Sequence, residues 1–314
     1  MTTGPTHTIH ASEHHLGWNN SLSPVRHVRP GESIEIDVLD ASGGQIGPDT
    51  TAEDLARLDF ARVNPVTGPL FVEGAEPGDA LRITALGIVP SGWGWTANVP
   101  GFGLLADDFP DPALRLWSYD EQARTPAMYQ AGGRVPIRPF MGTIGVAPAE
   151  AGTHSVVPPR RVGGNMDIRD LGTGSVLELP VEVPGALLSV GDTHAAQGDG
   201  EVCGTAIESP MRVTLRIDLI KGARIAFPRY ETPGPVSNHV DAKGYLVTTG
   251  IGPDLMEGAR AAVRGMIDLL GSRHGLTGVD AYMLASVCAD LRILEIVDQP
   301  HWVVGLAFPR VVFE

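Results

Sequence analysis

Twice in this chain a Pro-Gly turn runs straight into alternating apolar and polar residues. Arg29-Pro30-Gly31-Glu32 precedes SIEIDV, and Glu76-Pro77-Gly78-Asp79 precedes ALRITAL. Pro presets φ for such a turn, and Gly accepts the backbone angles needed after it. Ile34, Ile36 and Val38 recur at period two with Glu35 and Asp37 between them, the pattern of a half-buried strand. The 39 glycines and 26 prolines are spread along all 314 residues, which suits many turns between short strands. A third copy in outline is Ser189-Val190-Gly191-Asp192. It runs into THAAQGDGE, dense in polar groups where a strand and its core ought to be. A repeated strand–turn–strand unit whose third copy is interrupted this way points to a β-sandwich-like fold with its chemistry in that copy.

Elsewhere the pattern changes. Thr51–Val63 has Leu55 and Leu58 on one face and Thr51 ahead of Asp54, which predicts a short helix. Residues 93–105, rich in Gly and Trp, read as a long loop over a pocket. Residues 253–275 begin with Pro, end with Gly and carry Leu255, Ala259, Ala262, Val263, Met266 and Leu270 at helical spacing. DAYMLASVCADLRILEIVD predicts a second helix, and HWVVGLAFPRVVF a closing strand. The fold class expected is α+β and β-dominated: a β-sandwich- or barrel-like N-terminal and central part, with a C-terminal α+β part. The segments are 1–150, 151–235 (carrying the polar motif) and 236–314.

Composition excludes several roles. Lys plus Arg is 23 against 37 Asp plus Glu, a net charge of −14, which argues against nucleic acid or an anionic membrane as partner. Two cysteines, Cys203 and Cys288, in no CxxC pair fit a reducing cytoplasm and no disulfide scaffold. Cys203 reads as a small buried residue rather than a nucleophile. The N-terminus shows no basic start followed by an apolar core, and no apolar run approaches a membrane span.

On a strand, Asp192 and His194 would face the same way, roughly 6–7 Å apart along the rise. A carboxylate and an imidazole can then converge on a metal. The best third ligand is Asp167 in GGNMD, where Gly163 and Gly164 permit close backbone approach and Asn165 can bond a substrate or a neighbour. Glu201, beyond the Gly198-Asp199-Gly200 turn, is placed to act as general base. Bland readings stand beside these. An isolated Asp-x-His is more often a satisfied polar pair than a ligand set. Asp192 can echo the turn acids Glu32 and Asp79, Asp167 can cap or pair with Arg169, and Asp199 is most simply a turn residue. His14 and His15 read as surface or capping groups that could also complete a metal shell. Trp93 and Trp95 line a pocket or simply pack.

At these residues the chain resembles the acetamidase/formamidase family. The matching segments are GPLFVEGAEPGDAL (68–81), GTIGVAPA (142–149), PPRRVGGNMDIRDL (158–171) and GDTHAAQGDGEVCGTAIE (191–208). The resemblance implies hydrolysis of a small aliphatic amide to a carboxylate and ammonia, in a cytoplasmic homo-oligomer. It also implies a divalent metal, usually zinc, sometimes with calcium nearby. Carried over by motif, the metal and catalytic candidates are Asp167, Asp192, His194 and Glu201. The chain lacks the insertion of long formamidases between the second and third segments, so it resembles short-form members, which also accept cyclic amides such as γ-lactams. Some members have His where this chain has Asn64 and Val162.

The chemistry expected is that zinc on Asp167, Asp192 and His194 acidifies water and polarises the carbonyl, while Glu201 moves the proton to nitrogen. Asn165 and Gln197 are expected to donate to the oxyanion or the amide. Two rivals remain at this point. A serine or cysteine amidase lacks any GxSxG elbow here. A small-ligand-binding β-sandwich with structural calcium and no turnover would suit the acids of GDGE.

Overall fold

The computed structural model describes residues 7–234 and 240–314. The boundary expected at 235/236 and the first six residues of the N-terminus lie outside the described residues. Two six-stranded sheets form the body. The first runs His7–Ile9, Ser33–Val38, Met211–Ile220, Ala80–Pro90, Val176–Pro180, Arg229–Glu231. The second runs Gly163–Asn165, Phe140–Gly145, Leu188–His194, Val66–Val72, His14–His15, and Arg26–Val28 also pairs with Val66–Val72. Neither sheet closes on itself, so the body is a sandwich rather than a barrel. Each sheet draws strands from both sides of residue 150.

Alternation builds the core. Ile34, Ile36 and Val38 point inward from the first sheet and meet Leu70, Ile144 and Val190 from the second in one buried cluster. Each such side chain contributes about 1.5–3 kcal/mol by leaving water. The two Pro-Gly turns form as expected. Asp79 closes its turn by accepting from the Glu76 amide at 2.8 Å, and Glu32 does the same with the Arg29 amide at 2.9 Å. The third copy is not a turn. Ser189–Asp192 lies inside the Leu188–His194 strand, whose Gly191 is paired on both sides, to Thr143 and to Val66. Val stands where the other copies have Pro, so nothing presets a turn. Gly191 serves close approach instead: an added Cβ would lie 2.4 Å from the Pro65 carbonyl oxygen.

Three local expectations are corrected. Residues 51–63 form two 3-10 turns, Ala52–Arg57 and Phe60–Arg62, instead of one helix. Thr51 still bonds Asp54, yet only Leu55 is buried, too little apolar surface to hold an α-helix this short. Trp93–Asn98 is a strand paired with Ala113–Ser118, not a loop. It is buried along nearly its whole length, so no alternation marks it. The second helix ends at Cys288, and Asp290–Glu295 returns as a strand against Trp302–Pro309.

The C-terminal part carries α1 (Leu255–His274), capped by Asp254 and by Gly275 at φ 68°, and α2 (Gly278–Cys288). Together with the sheet of Tyr245–Gly252, Trp302–Pro309 and Asp290–Glu295 they enclose a second core. Helix α2 holds the polar stretch in place. The Ser286 carbonyl accepts from Gly198 N at 2.8 Å, and its hydroxyl accepts from Cys203 N at 3.1 Å. Among the described residues no helix is long and apolar enough to cross a membrane.

Candidate active site

The Leu188–His194 strand delivers Asp192 and His194 into the space between the sandwich and the C-terminal part. Asp192 Oδ1 lies 3.0 Å from His194 Nε2. Glu208 comes from the stretch after Cys203. It is clamped by backbone bonds to Trp95 in both directions, at 2.9 and 2.8 Å, and bridges to His194 on its other side. Its Oε1 accepts from Ala206 N at 2.8 Å, which turns Oε2 to within 3.1 Å of His194 Nε2. Asp167 comes just after the Gly163–Asn165 strand, its amide bonded to the Gly142 carbonyl at 3.1 Å. Glu201 stands at the end of the 198–201 turn, where its amide bonds Gly198 O at 3.1 Å.

These groups form two overlapping clusters, Asp167–Asp192–His194 and His194–Glu201–Glu208, each with ligand atoms within 4.8 Å of one another. The four expected residues thus converge. Glu208 is the one that sequence reasoning missed, although it closes the family-like segment 191–208.

Backbone strain marks the same place. Asn64, Asp167, Asp192 and Glu201 all take positive φ, between 42° and 50°. Asn and Asp tolerate this region, while Glu rarely does, and each such residue costs about 1–3 kcal/mol. The surrounding hydrogen bonds and packing hold this strain in the folded state.

Gln197 sets the imidazole. Its Nε2 donates to the Asp167 carbonyl at 2.8 Å, and a carbonyl can only accept. Its Oε1 therefore faces His194 Nδ1 at 2.8 Å and accepts a proton from it. In neutral His194 the lone pair then lies on Nε2, aimed at Asp192 and Glu208. Both ends of this amide bond protein groups, and Gln197 is not in the lining of the cavity above the acids, so its contacts assign it to positioning the imidazole rather than to the oxyanion or amide donation expected of it. Asn165 does line the cavity. Its Oδ1 accepts from Thr143 at 2.5 Å and Asn64 at 3.3 Å, and its Nδ2 donates to Val157 O at 3.1 Å, which leaves one N–H.

The charges are out of balance without a cation. Burial, with Asp192 nearby, pushes the Asp167 carboxyl up to about 7. Burial and Asp192 likewise push Glu208 up to about 8. Glu201 rises well above the carboxylate range through burial and the neighbouring acids. Burial opposes charge on His194, but Glu208 and Asp192 outweigh it and raise the imidazole well above its usual value. Burial alone would raise Asp192, yet the His194 charge holds it low. A proton on Nε2 stands where a metal ion would sit.

The donor set fits a divalent cation on three observations. Four carboxylates and an imidazole lone pair converge. Asp167 Oδ1 is buried and makes no protein hydrogen bond, and Glu208 Oε2, equally buried, faces only the His194 ring nitrogen. Gly142 leaves room among them: an added Cβ would lie 2.7 Å from Asp167 Oδ1, 2.9 Å from Asp192 O and 3.0 Å from His194 Cε1.

Above the acids opens a cavity of ≈ 300 Å³. Trp95, Val99 and Phe102 line it, so the 93–105 region does wall a pocket although half of it is strand. Trp95 is also anchored, its Nε1 donating to Asp40 at 3.0 Å. Asn64 lines the cavity, whereas Val162 is buried in the sandwich core. His14 and His15 join neither cluster. Their Nδ1 atoms bond backbone carbonyls, and His15 Nε2 bonds Ser189 Oγ at 2.9 Å. Asp199 pairs with Arg169 at 3.2 Å, outside the clusters. Cys203 is fully buried and burial pushes its thiol up, which suits packing and not attack.

Known proteins share this arrangement of chain. A γ-lactamase from Delftia acidovorans superposes with a TM-score of 0.89 at 26% identity, over 98% of this chain and 94% of that one. An acetamidase from Bacillus halodurans gives 0.68 at 30% identity, over 96% of each. By sequence, the acetamidase of Mycolicibacterium smegmatis is 30% identical over 86% of this chain and 84% of that protein. The formamidase of Methylophilus methylotrophus is 29% identical over 96% of this chain and 89% of its own length. With relatives all named for cutting an amide or lactam C–N bond, the fold and site define an amidohydrolase. The family model for the acetamidase/formamidase family matches residues 4–155 and 149–314. The chain belongs to that family.

Proposed function

We propose that the chain hydrolyses a small uncharged amide to a carboxylate and ammonia at the Asp167–Asp192–His194–Glu208 cluster, with Glu201 as the proton carrier. The observation that carries this is the convergence of buried acids on one imidazole: Gln197 turns His194 Nε2 toward Asp192 and Glu208, and the buried Asp167 Oδ1 closes the same cluster. Asp167, Asp192 and His194, joined by Glu208, would hold a divalent cation, with zinc expected, that supplies Lewis acidity toward the amide oxygen and toward water.

Glu201 borders the cavity and is less enclosed than Asp192, His194 or Glu208. As a carboxylate it takes the proton of the attacking water. Its affinity for protons, raised by burial and by its acidic neighbours, lets it keep that proton and pass it to the amide nitrogen. Ammonia then leaves as a neutral group. Asn165, which lines the same cavity, offers its free N–H to the substrate, and Asn64 holds the Asn165 oxygen so that the N–H keeps its direction.

The test separates binding from chemistry. Glu201→Gln should retain cation content and melting temperature, measured by elemental analysis and calorimetry, while ammonia release falls about 10²–10⁴-fold. Full turnover in this variant would remove Glu201 from the mechanism.

A further inference from the structure

The walls of the cavity say what the amide carries, an inference that rests on the amidase reading. Leu58, Phe60, Val63, Val99, Phe102 and Val157 surround the approach to the acids. Phe60, Phe102 and Val157 are 63%, 47% and 38% exposed, so they form the outer rim, while Asp192 and Glu208 are buried at the base. Phe60 lies in a 3-10 turn whose side chains bury nothing, and Phe102 in the loop beyond the Trp93–Asn98 strand. Together they make a contiguous apolar rim on one cavity, the kind of exposed patch that marks a ligand-binding groove.

Volume and charge narrow the occupant. A four-heavy-atom amide such as acetamide takes on the order of 120 Å³, at water's share of roughly 30 Å³ per heavy atom. The ≈ 300 Å³ cavity therefore has room for more. The remaining volume suits about six further heavy atoms. No Lys, Arg or His side chain lines it among the described residues, and four acids do. With the cation engaged by the amide at the base, a carboxylate at the substrate's outer end would be desolvated against the apolar rim with no cationic side chain to pair with.

We infer that the site selects an uncharged amide with an apolar group of about five to eight carbons, seated against Phe60 and Phe102, over formamide and acetamide. Remote apolar contact of this kind raises kcat/KM through binding energy retained in the transition state.

The experiment compares acetamide, butyramide, hexanamide, phenylacetamide and the anionic succinamate by ammonia release from the enzyme as purified. kcat/KM should rise about fourfold per methylene, roughly 250-fold over the four methylenes from acetamide to hexanamide, and fall for succinamate. Phe60→Ala and Phe102→Ala should each reduce the hexanamide-to-acetamide ratio about tenfold. Two variants on separate segments guard against a misfolded one. Calorimetric titration of Glu201→Gln with hexanamide and acetamide reads the same preference without turnover.

Acetamide hydrolysis with no gain for hexanamide, or a ratio untouched by both variants, overturns this inference and leaves the amidase reading standing. Absence of turnover for the whole series overturns the amidase reading. In that event equal binding of hexanamide and acetamide to the Glu201→Gln protein overturns the apolar preference as well.

Discussion

Gly142→Ala isolates the cradle. The residue has ordinary strand geometry, with no positive φ, so alanine costs nothing in the backbone itself. The cost lies in what the methyl meets. Its 2.7 Å approach to Asp167 Oδ1 can be relieved, since a carboxylate can swing away. The 2.9 Å approach to the Asp192 carbonyl cannot, because that backbone is in the second sheet and already strained at φ 45°. Overpacking of this kind destabilises by about 1–3 kcal/mol. The larger effect falls on the cation, because the relief moves a ligand off its place. Disturbing the surroundings that orient a metal ligand costs roughly 10–100-fold in metal affinity. Competition with a fluorescent chelator reads the affinity, and calorimetry reads the stability. Gly47→Ala, with nothing within 4 Å of its added methyl and no positive φ, is the control and should stay within about 0.5 kcal/mol. An unchanged metal affinity in Gly142→Ala, within about twofold of the parent where roughly 10–100-fold is expected, would refute the claim that this glycine keeps space for a cation.

The same geometry carries two more predictions. Gln197→Met keeps length and volume but frees the imidazole to turn; metal affinity should fall about 10–100-fold with little change in fold, read by elemental analysis and circular dichroism. In the metal-free protein, Asp167 at about 7 and Glu208 at about 8 lie above the ordinary carboxyl values of 3.8 and 4.5. The folded state then binds more protons than the unfolded one between these limits. This contribution to stability is full below about pH 4 and is lost as pH rises through about 7 to 8. His194, also raised, adds in the same direction, and Asp192, held low, opposes it only in acid. The metal-free protein should therefore melt at progressively lower temperature from about pH 6 to about pH 9, and saturating metal should abolish the trend. A melting temperature that climbs over that range without metal would contradict the assignment.

Much of the site was legible because its pieces are local. Asp192 and His194 sit two apart on a strand, GGNMD carries its own glycines, and Glu201 comes directly after a Gly-Asp-Gly turn. Glu208 was hidden because its role comes from pairing partners 113 and 14 residues away, Trp95 and His194, and no local pattern announces them. Gln197 was legible as a polar residue but not in its task, since its orientation depends on a carbonyl 30 residues away. The sandwich could be read from Ile34, Ile36 and Val38. The Trp93–Asn98 strand could not, because burial on both faces erases alternation. Ser189–Asp192 looked like a turn through Gly191, whose actual reason is the approach of Pro65.

Anomalous diffraction from crystals of the metal-loaded protein tests the centre of the account most directly. One strong peak is expected, within bonding distance of His194 Nε2 and the carboxylates of Asp167, Asp192 and Glu208, lost together with ammonia release in His194→Ala. A peak elsewhere, or a His194→Ala enzyme that keeps both its metal and its full turnover, would contradict it.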